Sequence, residues 1–197
     1  MLLKETQEKL IPTLKKYFGY DSFREQQQEI IESVLSKNDN LVIMPTGGGK
    51  SICFQIPALL KEGVCIVISP LIALMQDQVT NLTNKDIKAM TIPSGSSQDE
   101  MITLFDNLLF GNYKFLYLSP ERLQSKFIQD KISQLNVSLI AIDEAHCISE
   151  WGHDFRPSYQ QISILKELQP KVNIIALTAT ATPKVVTDIA NYLKLDD

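Results

Sequence analysis

The sequence predicts an α/β fold, with a mostly parallel central sheet flanked by helices on both faces. Three observations point to it. Six short apolar, β-branched runs recur along the 197 residues. They lack the polar alternation of a half-exposed strand, so each reads as a strand buried on both sides. Longer amphipathic stretches separate these runs. Serine- or threonine-proline pairs stand where helices should begin.

The elements follow in order. A helix is predicted over 24–36, where Ser22 and Glu25 have the spacing of a capping box. The strand NLVIM (40–44) runs into MPTGGGKS (44–51), which opens the next helix. VCIVIS (64–69) ends at Ser69-Pro70, and a helix is expected over 71–82. KAMTI (88–92) precedes a helix over 100–110, and KFLYLS (114–119) ends at Ser119-Pro120. SLIAID (138–143) and NIIALT (173–178) complete the sheet, and Thr182-Pro183 starts a last helix. Ser69-Pro70 and Ser119-Pro120 fall at carboxyl ends of strands, where open α/β sheets bind ligands. Helix starts there offer N–H groups to phosphates, although simple capping explains each pair equally well.

Composition narrows the class. With 44% hydrophobic and 21% charged residues, the chain has the make-up of one globular domain with a sizeable core. No apolar run is long enough to span a membrane, so no membrane partner is expected. MLLKETQEKL is charged from Lys4 on, unlike a signal peptide, which points to the cytoplasm. Cys53, Cys65 and Cys147 are odd in number and lack CxxC spacing, so free thiols are expected. A net charge of −4 argues against a non-specific basic nucleic-acid binder but leaves room for local contacts.

MPTGGGKS carries the chemistry of a phosphate-binding loop. Gly47, Gly48 and Gly49 let backbone N–H groups converge on phosphate oxygens. Lys50 supplies a charge and Ser51 a hydroxyl for Mg²⁺. Met44 replaces the first glycine of the usual GxxxxGK[ST] pattern. SLIAIDE ends a buried strand in two acids. Asp143 is placed to hold Mg²⁺ and Glu144 to activate water. Together with the glycine loop they predict Mg²⁺-dependent hydrolysis of a nucleoside triphosphate.

The sixteen residues IDEAHCISEWGHDFRP (142–157) hold both histidines, the lone tryptophan and one of three arginines. Trp151 and Phe155 can stack on bases, and Arg156 can pair with phosphate. An aromatic packed beneath a surface loop is the alternative for Trp151.

DEAH (143–146) and TAT (178–180), behind TGGGKS, resemble motifs II, III and I of superfamily-two helicases. FGYDSFREQQ (18–27), SPLIALMQDQV (69–79), SPERL (119–123) and AHCISEWGHDFRP (145–157) resemble the RecQ family of DNA helicases. The resemblance implies a RecA-like P-loop NTPase domain, with 1–36 as an N-terminal helical region. It implies ATP and ADP as ligands together with Mg²⁺. Thr46 through Ser51 would hold the phosphates, Tyr20 and Arg24 would pack on adenine, and Gln27 would bond its edge. Trp151, His153, Phe155 and Arg156 would sense single-stranded or partial duplex DNA, with His146 relaying to the ATP site. Ser69 and Arg122 would lie near the DNA track. The resemblance also implies 3′-to-5′ unwinding.

Arg24, Arg122 and Arg156 all lie in these segments, and none is free to act as an arginine finger. The family places that finger in a second RecA-like lobe. The chain is therefore expected to be a single first lobe spanning 1–197, without the second lobe or the zinc and winged-helix regions. The parent would work in the cytoplasm, at the nucleoid if bacterial. Two alternatives remain: a DEAD/DEAH-type RNA helicase lobe, and a nucleotide-dependent binding module without turnover.

Overall fold

The computed structural model describes residues 4–196. Residues 1–3 and 197 of the expected 1–197 domain lie outside them. Six strands form one sheet: β1 (Asn40–Ile43), β2 (Val64–Ile68), β3 (Ala89–Thr91), β4 (Phe115–Leu118), β5 (Val137–Ile142) and β6 (Ile174–Thr178). Their spatial order is β1-β6-β5-β2-β4-β3, and every pairing is parallel. Every predicted run is a strand, with bounds shifted by a residue or two.

The absence of polar alternation has a simple cause. Val64, Ile66 and Ile68 of β2 enter one core, while Cys65 and Val67 enter the other. β5 divides in the same way, Ile140 and Ile142 against Leu139 and Ala141. One face is covered by α2 (Gln27–Leu35), α3 (Lys50–Leu60) and α4 (Ile72–Thr83), through Val34, Phe54 and Met75. The other is covered by α5 (Gln98–Phe110), α6 (Lys126–Gln134), α7 (Ile164–Leu168) and α8 (Pro183–Leu193), through Phe105, Ile128, Leu165 and Ile189. Each fully buried Leu or Ile in these layers contributes about 1.5–3 kcal/mol relative to exposure. α1 (Lys4–Phe18) adds a third cluster, Leu10 and Leu14 against Ile31 and Ile56.

Helix starts match the sequence less well. Thr182 caps α8, accepting from the Val185 N–H at 3.4 Å. Ser97 and Glu100 form a full capping box, so α5 begins earlier than expected. Ser22 does not cap α2, which begins at Gln27. The Gln27 side chain holds the turn before it instead, accepting from the Arg24 N–H at 2.7 Å. Ser69 does not cap α4, where Leu71 is the N-cap, and Ser119 leads into a 3-10 turn without capping it.

Because all strands run one way, their carboxyl ends share one edge. The Met44 N–H donates to the Thr178 carbonyl at 3.0 Å, and the Asp143 N–H to the Ile68 carbonyl at 2.9 Å. Those bonds bring the glycine loop, the acid pair and the TAT segment to neighbouring positions.

Candidate nucleotide site and adjoining loop

The glycine loop leaves β1 and turns into α3. Gly47 and Gly49 have φ of 80° and 85°, the left-handed region where a Cβ is strained. A Cβ at Gly49 would also strike the Gln27 amide. No side chain caps α3 at Gly49. The first-turn N–H groups therefore remain for an anion, assisted by the helix dipole.

A cleft of about 470 Å³ opens over this loop, within the range of small-molecule sites. It is lined by Thr46, Gly47, Gly49, Lys50 and Ser51 of the loop and first helical turn, by Asp143 and Glu144, and by Tyr20, Ser22, Arg24 and Gln27. Tyr20 is 51% exposed. Gln27 is 2% exposed, and both ends of its amide are engaged. Besides accepting from Arg24, it donates to the Gly49 carbonyl at 3.1 Å. Arg24 donates to the Gly47 carbonyl. In this conformation Arg24 and Gln27 grip the glycine loop.

Asp143 directly follows β5. Burial pushes its carboxyl above the ordinary value and the neighbouring Glu144 adds to this, while the Glu144 N–H and Lys50 act in the opposite sense. A desolvated carboxyl crowded by a second acid, in the same cleft as the Ser51 hydroxyl, is an oxygen donor set that suits a hard cation such as Mg²⁺. The Glu144 backbone is left-handed at φ 51°, and its N–H donates to Asp143 Oδ1 at 2.9 Å.

His146 is buried in the 3-10 turn Ala145–Ile148 and contacts Thr178 through Nδ1 at 2.8 Å. Thr178 Oγ1 donates to the Thr180 carbonyl at 3.1 Å. It therefore accepts from His146, which places the proton on Nδ1 and leaves Nε2 as a lone pair. Burial pushes the His146 pKa below its ordinary value. Its 3.5 Å approach to Glu144 Oε2 is thus a dipolar contact at neutral pH, not an ion pair.

The aromatic-rich loop projects from this turn. Trp151 is 71% exposed, which removes the packed-core alternative. His153 stacks on His146 with ring centroids 4.3 Å apart. Phe155 and Arg156 are half-buried. Arg156 Nη1 reaches the Pro70 carbonyl at 3.4 Å, and Nε stands 3.5 Å from Asp154. Ser69 is only 1% exposed, and its hydroxyl has no partner among the described residues, so it presents nothing to a surface. Arg122 lies apart from this cleft, bonded to the Pro93 carbonyl at 2.9 Å.

Three residues that the sequence did not single out support the site. The Tyr159 hydroxyl donates to the Asp143 carbonyl at 2.9 Å. Asp188 on α8 accepts from Ser149 Oγ at 2.6 Å, anchoring the loop's first limb. Gln78 lines the cleft with a buried Oε1 that has no partner among the described residues. Only the fold brings these positions to the cleft and its adjoining loop. The three cysteines are free, as expected. Among the described residues no helix is long and apolar enough to cross a membrane.

A family model described as DEAD/DEAH box helicase matches residues 24–189. The ATP-dependent DNA helicase RecQ of Bacillus subtilis (strain 168) is 53% identical over 184 residues, covering 92% of this chain and 31% of that protein. The same organism's probable ATP-dependent DNA helicase RecS is 45% identical over 188 residues, 95% of this chain and 38% of that protein. The chain thus spans well under half the length of these relatives. Among solved structures, the DUF1998 helicase MrfA bound to DNA and AMPPNP superposes with a TM-score of 0.73 at 19% identity, over 97% of this chain and 29% of that one. At that identity the likeness concerns the fold alone.

Proposed function

From the premise that this chain belongs to the DEAD/DEAH box helicase family and is homologous to the RecQ DNA helicases, we propose that it is the first RecA-like lobe of an ATP-dependent 3′-to-5′ DNA helicase. One observation carries the reading. Lys50 and Ser51 share a single cleft with Asp143 and Glu144, and Tyr20 and Arg24 line the same cleft.

In this reading Lys50 and the first-turn N–H groups of α3 hold the β and γ phosphates of ATP. Ser51 and Asp143 hold Mg²⁺, which supplies charge neutralisation to those phosphates. Glu144 takes a proton from the attacking water. Tyr20 and Arg24 pack against adenine. Gln27 reaches its edge only by releasing Gly49, so base recognition and loop geometry are linked. Trp151, His153, Phe155 and Arg156 bind single-stranded or partial duplex DNA, and His146 passes the signal to Glu144. Arg122 contacts DNA from its separate position. A second RecA-like lobe of the same parent supplies an arginine to the γ phosphate. The domain spans 1–197, with 1–36 as its N-terminal helical region, and the parent acts in the cytoplasm.

The test is steady-state ATP hydrolysis by the chain with single-stranded DNA, with RNA and with neither, using Glu144→Gln as the blank. DNA-stimulated turnover lost in the blank supports a complete site. Binding of Mg-nucleotide by calorimetry without turnover supports a lobe that needs its partner. Stimulation by RNA alone would replace DNA with RNA as substrate, and no nucleotide binding would sink the reading.

A further inference from the structure

Outside the nucleotide cleft, three unlike side chains cluster together. His146, Cys147 and Asp154 present Nε2, Sγ and a carboxylate oxygen, all within 4.8 Å of one another. His146 Nε2 lies 3.7 Å from Cys147 Sγ, and Cys147 Sγ lies 3.8 Å from Asp154 Oδ2. Metal–ligand bonds of about 2.0–2.3 Å in a tetrahedron put ligand atoms roughly 3.3–3.6 Å apart. Two edges are therefore already close to that spacing. Asp154 is exposed and can swing to close the third.

The imidazole is prepared for the task. Thr178 fixes the proton on Nδ1, so the Nε2 lone pair faces the sulfur. An outer hydrogen bond that sets the tautomer and ring orientation is what metal-binding histidines generally have. We propose that His146, Cys147 and Asp154 form a binding site for one borderline-soft divalent cation of the zinc class, with solvent completing its coordination on the Asp154 side.

Two costs oppose binding. Burial, reinforced by Asp154, pushes the Cys147 thiol up to about 12, so the cation must release that proton to solvent as the metal–sulfur bond forms. Arg156 Nε approaches the same Asp154 oxygen at 3.5 Å and must yield it. That approach is long, and Arg156 Nε makes no hydrogen bond among the described residues. The other two cysteines lack such neighbours: the near polar contacts of Cys53 and Cys65 are backbone carbonyls, at 3.8 Å and 3.9 Å.

A bound cation would tie the exposed loop to His146, two residues beyond Glu144. Its effect on turnover rests on the function proposed above, whereas its binding does not. The probe is Co²⁺ titrated into the chain. A thiolate bond to cobalt gives a near-ultraviolet charge-transfer band that carboxylate sites cannot give. One equivalent should develop the band. It should vanish in Cys147→Ser, persist in Cys53→Ser, and need about tenfold or more Co²⁺ in Asp154→Asn. No band in the unaltered chain, or a band surviving in Cys147→Ser, overturns the site. If Cys147→Ser does not fold, the exposed Asp154→Asn decides, and unchanged affinity overturns it. Zinc that displaces cobalt yet leaves DNA-stimulated hydrolysis intact would uphold the site and remove the proposed coupling between loop and acid pair.

Discussion

Glu144, the proposed general base, has a strained backbone. A non-glycine residue at φ 51° costs roughly 1–2 kcal/mol. The strain aims the Glu144 side chain into the cleft while its N–H holds Asp143. Glu144→Gln should leave stability nearly unchanged and lower hydrolysis by about 10²–10⁴-fold. Glu144→Gly should raise the urea midpoint, by about 1 kcal/mol of stability, while abolishing turnover. A Glu144→Gly protein less stable than the parent would show that the backbone carries no such strain. His146 supplies the pH-dependent counterpart. Its folded pKa lies below the ordinary 6.5, chiefly because it is buried. Between the two values the unfolded chain binds more protons, so stability is full above about pH 6.5 and falls as pH drops through that value toward the folded one. Asp143 works in the other direction, because its raised pKa means the folded state gains protons first as pH falls. The difference between the parent and His146→Gln therefore isolates the histidine. Urea unfolding from roughly pH 8 to pH 6 should show a decline in the parent that the variant lacks. Parallel curves would mean that His146 is not held neutral by the fold.

The phosphate loop shows which elements a sequence reveals. Three glycines before Lys-Ser, between an apolar run and a helix, identify β1, the loop and α3 from local chemistry. What locks the loop is not local: Gln27 and Arg24 arrive from before β1 and bond the carbonyls of Gly49 and Gly47. The glycines are therefore not equivalent. A Cβ at Gly47 meets nothing within 4 Å, so Gly47→Ala should cost only the backbone term, about 1–2 kcal/mol. Gly49→Ala bears that term and the collision with Gln27. It should be less stable than Gly47→Ala, and it should weaken Mg-nucleotide binding by calorimetry more strongly. Equal losses would show that the Gln27 grip does not matter. The strands were legible because burial on both faces removes polar residues, a composition signal that survives without knowing the neighbours. Ser22 misled because its capping spacing is met by chance, while the Gln27 side chain holds that turn. Tyr159 and Asp188 were invisible for a related reason. A tyrosine 16 residues past Asp143 and an aspartate on α8 have no sequence pattern that ties them to the acid pair.

Across the whole molecule, the parallel sheet gathers cleft and loop at one edge and ties them at several points. The loop's first limb is pinned where Ser149 donates to Asp188 and accepts from the Trp151 N–H at 3.1 Å. Its second limb is pinned where the Arg156 N–H donates to the Cys147 carbonyl at 2.8 Å, and where Tyr159 holds Asp143. Between these anchors Trp151 stands exposed. A shift of the acid pair on nucleotide binding would reach the loop through its own base, the turn that carries His146. Trp151 is the chain's one tryptophan, so fluorescence excited selectively at tryptophan reports on this loop alone. The free protein should emit as a solvated indole. Oligothymidylate should quench that emission by stacking, and Mg-nucleotide alone should shift it. Linkage adds a quantitative demand: the factor by which nucleotide changes DNA affinity must equal the factor by which DNA changes nucleotide affinity. Equal factors clearly different from one would make cleft and loop a single coupled device within this lobe. An emission that responds to DNA but not to nucleotide, with both factors equal to one, would place the coupling outside it, in whatever closes over this edge of the sheet.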